Sequence, residues 1–248
     1  MTDPRETGAG ALIIVPTYNE LENLPRVIAA IQQTAPEADI LIVDDASPDG
    51  TGALADEFSQ TNERIHVLHR AVKNGLGDAY LEAFAWGLAR PYEVLVEMDA
   101  DGSHPASALP ALIHAVREVQ PYRLAIGSRW VRGGSVVNWP WNRKALSRGG
   151  NIYARVMLGL PVKDATAGFR AFTANALRGI HLDDVKSHGY CFQIDMTRRM
   201  RDAGFAEVEV PIEFREREFG ESKMDGSIVR EAMGNVTVWG FKRLFRRP

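Results

Sequence analysis

The sequence predicts an α/β fold in which a mostly parallel central sheet is flanked by helices. Short apolar runs at Ala11–Val15, Ile40–Val43, Ile65–His69, Val94–Val96 and Leu124–Gly127 alternate with segments of helical periodicity, the β-α-β alternation of a sheet covered on both faces. Each early polar motif also falls just after one of these runs, and the carboxyl ends of the strands are where such sheets bind ligands.

The first strand is Ala11–Val15, stopped by Pro16, which has no N–H for a ladder. Asn19 or Asn23 is placed to cap the next helix, about Leu24–Thr34, whose Leu24, Val27, Ile28 and Ile31 share a face. Ile40–Val43 runs into Asp44-Asp45-Ala46-Ser47-Pro48-Asp49-Gly50-Thr51, followed by a helix over Gly52–Ser59 and the strand Ile65–His69. The loop Lys73-Asn74-Gly75-Leu76-Gly77 leads to a helix over Asp78–Ala89, and the Val94 strand comes next. A helix over Ala106–Val119 and the strand Leu124–Gly127 complete the regular part.

Beyond Gly127 the alternation breaks. Asn142–Leu160 is an amphipathic helix, Asp164–Phe172 a loop-to-strand element, and Ala174–Arg178 and Phe192–Ala203 are helices. Ala206–Phe214 is a strand, Arg215–Asp225 a loop, and Ser227–Leu244 a last helix. No repeat or linker divides the chain, so residues 11–248 are expected to form one domain behind a disordered segment 1–10.

At 248 residues and 45% hydrophobic content the chain can bury a sizeable core. A net charge of −3 argues against nucleic acid as a partner. The single cysteine, Cys191, excludes an intramolecular disulfide framework and a cysteine-rich zinc site, and fits a reducing compartment. No run approaches the roughly 20 apolar residues of a membrane span, and Ala11–Val15 is too short for a signal-peptide core. A cytoplasmic location is therefore expected. The C-terminal stretch Phe241–Arg247 mixes bases with bulky apolar residues, suiting either an anionic membrane surface or a solubilising tail.

The chemistry centres on Asp99 and Asp101, delivered by the buried Val94 strand. Residues i and i+2 of extended chain share a face. Two adjacent carboxylates repel unless a positive charge lies between them, and a hard divalent cation, Mg²⁺ or Mn²⁺, holding phosphate oxygens would supply it. A strand ending in a solvated Asp-Gly turn is the alternative. Tyr18 and Glu20 could hold a base and ribose, and Asp44 and Asp45 could accept hydrogen bonds from them. Gly75 and Gly77 before a helix either allow close backbone approach to a ligand or simply make a glycine-rich turn, and no Gly-Lys-Ser/Thr of a P-loop follows. Arg129, Arg143, Arg217 and Lys223 form a scattered basic set, the last two flanking Ser222 on a loop that could close over phosphate. His104, ahead of Pro105, reads as helix entry, and Cys191 as a packed residue.

Taken together, Val15–Glu20, Val43–Thr51, Met98–Asp101, Gly127–Trp130, Arg143-Lys144 with Ser147-Arg148-Gly149, Gly168-Phe169-Arg170 and Gly220–Met224 resemble glycosyltransferase family 2, which has the GT-A (nucleotide-diphospho-sugar transferase) fold. Within it they are similar to the dolichol- and polyprenol-phosphate mannose synthases. The resemblance runs from Leu12 to Met224. It implies inverting transfer of mannose from GDP-mannose to a polyprenyl phosphate, with a divalent cation as cofactor. On this resemblance Pro16, Tyr18, Glu20 and Asp45 hold the guanosine, with Val43 and Ala100 also at donor-binding positions. Asp99 and Asp101 hold metal and diphosphate. Arg129, Arg143, Ser147, Arg217, Ser222 and Lys223 engage the acceptor phosphate or donor diphosphate. Asp101, Arg129 and Lys223 are the catalytic set.

Two departures stand out. Where the family often has Leu-Gln after the acidic pair, with the Gln aiding metal binding, this chain has Gly102-Ser103, so Ser103 or water is the expected third ligand. Many relatives also carry transmembrane helices after the catalytic domain, so this chain is expected to be peripheral, a truncated domain of a membrane protein, or recruited by a separate anchoring protein. Three alternatives stay open: a transferase of the same kind using UDP-glucose, a non-catalytic sugar-nucleotide scaffold, and a phosphotransferase using the Asp99-x-Asp101 pair as nucleophile motif.

Overall fold

The computed structural model describes residues 7–117, 122–187, 189–216 and 226–245. Strands β1 (Ala11–Thr17), β2 (Asp39–Asp44), β3 (Ile65–His69), β4 (Val94–Glu97), β5 (Tyr122–Ser128), β7 (Arg170–Thr173) and β8 (Ala206–Pro211) form one sheet in the order β3-β2-β1-β4-β7-β5-β8. All its pairings are parallel except those of β7, which lies antiparallel between β4 and β5. Periodicity shows a strand near Phe172 but cannot show its neighbours, so the insertion of this strand into the middle of the sheet is visible only in three dimensions.

Both faces of the sheet are buried, which explains the unbroken apolar runs. In β1, Leu12 and Ile14 face one side, with Tyr80 and Phe84 of α3 (Leu76–Leu88) and Phe192 of α7 (Gly189–Asp202). Ala11, Ile13 and Val15 face the other, with Val27, Ile28 and Ile31 of α1 (Leu24–Thr34) and Leu112, Ile113 and Val116 of α4 (Leu109–Arg117). A Cβ on Gly87 of α3 would stand 2.7 and 2.8 Å from Leu95 and Leu12, so glycine is what allows α3 to lie this close to the sheet.

Three local expectations are corrected. Residues 7–10, within the segment expected to be disordered, are tied down. Thr7 donates its hydroxyl to Glu37 at 2.7 Å, and the carbonyl of Ala9 accepts from Arg117 at 2.6 Å. Asn23 occupies the N-cap position of α1, but its side chain does not cap; its amide donates to Glu20 Oε2 at 2.7 Å. The expected strand 206–214 splits after Pro211. The chain there crosses to a second, two-stranded sheet in which β9 (Glu213–Arg215) pairs with β6 (Ser135–Val137).

Helix α5 (Trp141–Leu158) packs on α8 (Gly226–Phe245). Only Asn151, Ala154 and Leu158 of α5 are buried. Trp141, Ile152 and Val156 are 82, 62 and 71% exposed on the opposite face, and Phe241 and Phe245 of α8 are also exposed. Among the described residues no helix is long and apolar enough to cross a membrane.

Candidate active site

Parallel pairing sets the ends of the first strands level. Pro16 lies opposite Val43, Thr17 opposite Asp44, and Ile14 opposite Glu97. The loops leaving β1, β2 and β4 therefore converge on one edge.

The first two loops are laced together. The backbone N–H groups of Asn19, Glu20 and Leu21 donate to Ser47 Oγ, Thr51 Oγ1 and Asp49 Oδ2 at 3.1, 3.0 and 3.2 Å. Asp49 Oδ1 also accepts from the N–H and hydroxyl of Thr51, at 3.0 and 2.6 Å. Burial opposes charge on Asp49, but these hydrogen bonds outweigh it and hold the carboxyl below its ordinary range. The Ser-Pro-Asp-Gly-Thr run is thus a clip that shapes the loop carrying Tyr18 and Glu20. Gly50, at φ 95°, makes the turn into α2 (Thr51–Thr61).

The two acids of the second loop separate in role. Asp44 looks inward, accepting from Thr17 Oγ1 at 3.1 Å and Ser47 Oγ at 2.6 Å. Asp45 is ion-paired with Arg70, which also reaches Glu82 of α3 at 3.0 Å. Burial raises the Asp45 pKa and Arg70 offsets only part of that. Arg70 is a residue that sequence reasoning missed, because a lone arginine after a strand carries no signal. The Lys73 ammonium sits 3.6 Å from the centre of the Tyr18 ring. The side chains of Val43 and Ala100 are buried in the core, so any donor contact from these two positions is through their backbone. Gly77 serves packing: a Cβ there would meet the Phe192 ring and the Ser187 carbonyl at 3.1 Å.

Past β4, Met98 and Ala100 turn into the core while Asp99 and Asp101 remain partly exposed, so the alternation continues beyond the strand and both carboxylates face the cleft. Asp99 donates its backbone N–H to His104 Nδ1 at 3.0 Å, and its Oδ1 is 3.5 Å from the Tyr80 hydroxyl. Asp101 Oδ1 accepts from the N–H of Ser103 at 3.0 Å. The hydroxyl of Ser103 is buried and makes no hydrogen bond to the protein. Among the described residues no three His, Cys, Asp or Glu side chains gather as a metal site. Two carboxylates and a hydroxyl are nevertheless the oxygen donors a hard cation takes when phosphate supplies the rest.

Under this pair lies Glu97, fully buried, accepting from Gln193 at 2.7 Å. Burial lifts its pKa to about 8, against the pull of Arg170 and Gln193. Arg170, opposite Glu97 in the ladder, is also fully buried. It donates to the carbonyls of Ala165 and Ala167 at 2.7 and 2.6 Å, and to Gln193 O and Thr197 Oγ1 of α7 at 2.9 and 2.8 Å.

The basic residues of the second half are not free cations in a row. Arg129 donates to Asp164 through its backbone N–H, Nε and Nη2 at 2.9, 2.8 and 2.6 Å, and both side chains are buried. Arg129, expected to engage phosphate, is seen here paired with Asp164, a residue unremarkable in the sequence that the fold places beneath it. Asn151 of α5 joins this network. Its amide N–H donates to Thr166 Oγ1 at 3.0 Å and to the Ser147 carbonyl at 3.0 Å, and its oxygen accepts from the Thr166 N–H at 3.2 Å. Glu209 anchors the base of the loop, accepting from the N–H groups of Lys163 and Asp164 at 2.8 and 3.0 Å. Arg143 lies 4.1 Å from the Trp139 ring centre and donates to Glu216 at 2.5 Å. Arg148 lies 4.7 Å from Trp130, and half-buried Ser147 is on the same helix. Arg217, Ser222 and Lys223 lie outside the described residues.

Residues 12–180 match the glycosyl transferase family 2 profile. The chain belongs to glycosyl transferase family 2. It is 56% identical over 229 residues to an undecaprenyl-phosphate mannosyltransferase of Micrococcus luteus, covering 92% of this chain and 93% of that protein. It is 53% identical over 250 residues to a polyprenol monophosphomannose synthase of Mycolicibacterium smegmatis, covering 96 and 94%. Among solved structures, a glucosyl-3-phosphoglycerate synthase of Mycobacterium tuberculosis, in complex with Mn²⁺, UDP-glucose and phosphoglyceric acid, superposes with TM-score 0.68 at 18% identity, covering 96% of this chain and 81% of that one. A mannosyltransferase of Pyrobaculum calidifontis in complex with GDP-mannose and Mn²⁺ gives TM-score 0.58 at 18% identity, covering 97 and 65%. The family's GT-A fold, expected from the motifs, is the fold described above.

Proposed function

We propose that this family 2 enzyme transfers mannose from GDP-mannose to a polyprenyl monophosphate, with inversion, giving polyprenyl-phosphate mannose and GDP. The observation that carries the reading is the pair Asp99 and Asp101, presented at the carboxyl end of β4 beside the clipped loops of β1 and β2. The names of the Micrococcus luteus and Mycolicibacterium smegmatis relatives support the product, and the bound GDP-mannose and Mn²⁺ of the Pyrobaculum calidifontis enzyme support donor and cation.

Tyr18, Glu20 and Asp45 are assigned to the nucleoside, with Pro16 and the backbone at Val43 shaping its floor. Asp99, Asp101 and Ser103 would hold Mg²⁺ or Mn²⁺. That cation would supply Lewis-acid stabilisation of the charge developing on the leaving diphosphate. In the transfer a lipid-phosphate oxygen forms a bond to the sugar's anomeric carbon as the bond from that carbon to the GDP oxygen breaks, and the electron pair leaves with GDP. A phosphate monoester is largely ionised at pH 7, its second pKa being about 6, so no strong general base is required. Positive side chains to neutralise and aim the phosphate are required instead. Arg143, held against Trp139, is assigned this role, with Ser147 beside it and with Arg217, Ser222 and Lys223 as further candidates. Arg129 is assigned to shaping the acceptor side through Asp164.

The exposed apolar face of α5 supports peripheral membrane contact. Trp141, Ile152 and Val156 lie alongside Lys144, Arg148 and Arg155 on the helix surface, apolar and basic residues together as in a helix lying in an anionic interface. With Phe241 and Phe245 of α8, this face would bring the acceptor side to the lipid headgroup, at the cytoplasmic face of the membrane.

The test is transfer of labelled mannose from GDP-mannose into an organic-extractable lipid, using a short polyprenyl phosphate with and without Mg²⁺ or Mn²⁺, and UDP-glucose in parallel. Cation-dependent labelling from GDP-mannose alone is the expected outcome. Labelling only from UDP-glucose would overturn the donor assignment, and nucleotide binding without transfer in lipid vesicles would favour a scaffold.

A further inference from the structure

We propose that His104 is a positioning residue for Asp99, holding that carboxylate in the orientation that receives the divalent cation. The inference rests on the cation assignment made above.

The sequence alone marks His104 only as a helix-entry residue. The structure rules out a capping role, since the short 3₁₀ turn Ala106–Ala108 starts from Pro105 and has no side-chain cap. His104 instead turns back to the residue five positions earlier. Its Nδ1 accepts the backbone N–H of Asp99 at 3.0 Å. With Nδ1 as the acceptor, Nε2 is the ring nitrogen left to donate. Nε2 lies 3.8 Å from Oδ2 of the same Asp99, beyond hydrogen-bond distance, and the proposal places the two in a hydrogen bond when the cation is held.

One ring thus addresses both the main chain and the carboxylate of a single residue. The ring itself has little freedom. It is 4% exposed, stacked on Phe169 at 5.0 Å and 12°, and met edge-on by Phe214 at 5.7 Å. The other carboxylate oxygen, Oδ1, is faced by the hydroxyl of buried Tyr80 at 3.5 Å. Asp99 therefore stands between two ring donors on separate elements, α3 and the β4–α4 connection. Ligating carboxylates are commonly fixed in this way by outer hydrogen bonds, whose loss weakens metal affinity about 10–100-fold. His104 acts through its accepting Nδ1 and through Nε2 beside the carboxylate.

The experiment measures Mn²⁺ affinity by electron paramagnetic resonance in the presence of GDP, for the wild type and for His104→Gln, His104→Asn, His104→Phe and Tyr80→Phe. GDP affinity without metal and the thermal midpoint are measured alongside. Gln can place an N–H where Nε2 stood, whereas Asn can replace only the Nδ1 acceptor and Phe neither. The expected result is Mn²⁺ affinity reduced about 10–100-fold in the Asn and Phe variants, largely restored in Gln, and reduced in Tyr80→Phe with folding intact. Equal Mn²⁺ affinity across all variants, whatever their thermal midpoints, would overturn the proposal. So would equal losses in Gln and Asn, which would mark the ring as packing alone. A wild type that binds GDP but shows no Mn²⁺ binding would instead remove the cation assignment on which this role depends.

Discussion

Replacing Asp164 by Asn tests whether Arg129 is a structural cation. The substitution preserves shape and removes one charge from a pair in which Asp164 has no exposed surface and the Arg129 side chain is 6% exposed. Three donors of Arg129 converge on this carboxylate at 2.6–2.9 Å. Removing one partner of such a buried pair leaves the other charge uncompensated and costs about 3–5 kcal/mol. Arg129→Met should destabilise by a similar amount, since Asp164 then keeps only neutral donors from Asn151, Thr166 and the backbone. The double variant Arg129→Met, Asp164→Asn removes both charges, so its loss should be well below the sum of the two singles. Urea unfolding of all three, read by tryptophan fluorescence, gives the cycle. Trp130 and Trp139 flank Arg129 at 5.9 and 5.5 Å, so the probe lies at the perturbed site. A loss under about 1 kcal/mol for Asp164→Asn, the range of an exposed pair, would refute the reasoning and return Arg129 to the set of cations available to phosphate.

Three further outcomes are expected. Asp101→Asn should abolish mannose transfer while leaving the circular dichroism spectrum and thermal midpoint unchanged; wild-type turnover would remove Asp101 from the site. Glu97→Gln should flatten the pH dependence of stability. Because burial raises Glu97 from an ordinary 4.5 to about 8, the folded chain holds a proton that the unfolded chain releases above 4.5. Its contribution is full below pH 4.5 and is lost as pH rises towards 8, and an unchanged slope of thermal midpoint between pH 5 and 8 in the Gln variant would contradict this. Ile152→Glu, at a 62% exposed position on α5, should weaken co-sedimentation with anionic vesicles and leave turnover of a detergent-solubilised short-chain acceptor intact; undiminished vesicle binding would count against α5 as the lipid face.

The parts of the fold legible in the sequence are those governed by local pattern. Val94–Val96 reads as a buried strand because both faces of the sheet are covered, and Asp99 and Asp101 read as a pair because alternation persists through buried Met98 and Ala100. What escapes is set by tertiary neighbours. Arg129 carries no mark distinguishing a phosphate ligand from a buried ion pair; the difference is Asp164, 35 residues away. His104 reads by its neighbour Pro105, while its partners are Asp99, Phe169 and Phe214. Gly77, legible as a possible ligand-facing turn, is required instead by Phe192 on α7. The amphipathic pattern of 142–160 does not decide between a core helix and a surface one. The exposure of Trp141, Ile152 and Val156 decides it, because one helix face is buried and the apolar face is not.

The buried charges of this chain lie where the proposed reaction needs rigidity. Bringing an ionised lipid phosphate to a sugar diphosphate sets two anions against each other, so the enzyme must fix their separation and neutralise both. The segment from Asp164 to Arg170 runs between the acceptor side and the donor side. At its start, Asp164 and Thr166 bind Arg129 and Asn151, and Asn151 holds the Ser147 turn of α5. At its end, Arg170 ties the carbonyls of Ala165 and Ala167 to α7 and lies opposite Glu97, two residues before Asp99. Between them Gly168 passes beside His104 and the Asp99 carboxylate, where an added Cβ would stand 3.5 Å from the ring and 3.9 Å from the carboxylate oxygens. One short segment is thus tied by hydrogen bonds to α5 at its start and to α7 at its end, and passes beside the Asp99 carboxylate between them. A 1 Å error in such a geometry can cost about 100-fold in rate, which gives a physical reason for placing two buried arginines and two buried acids where apolar residues would have packed at lower cost.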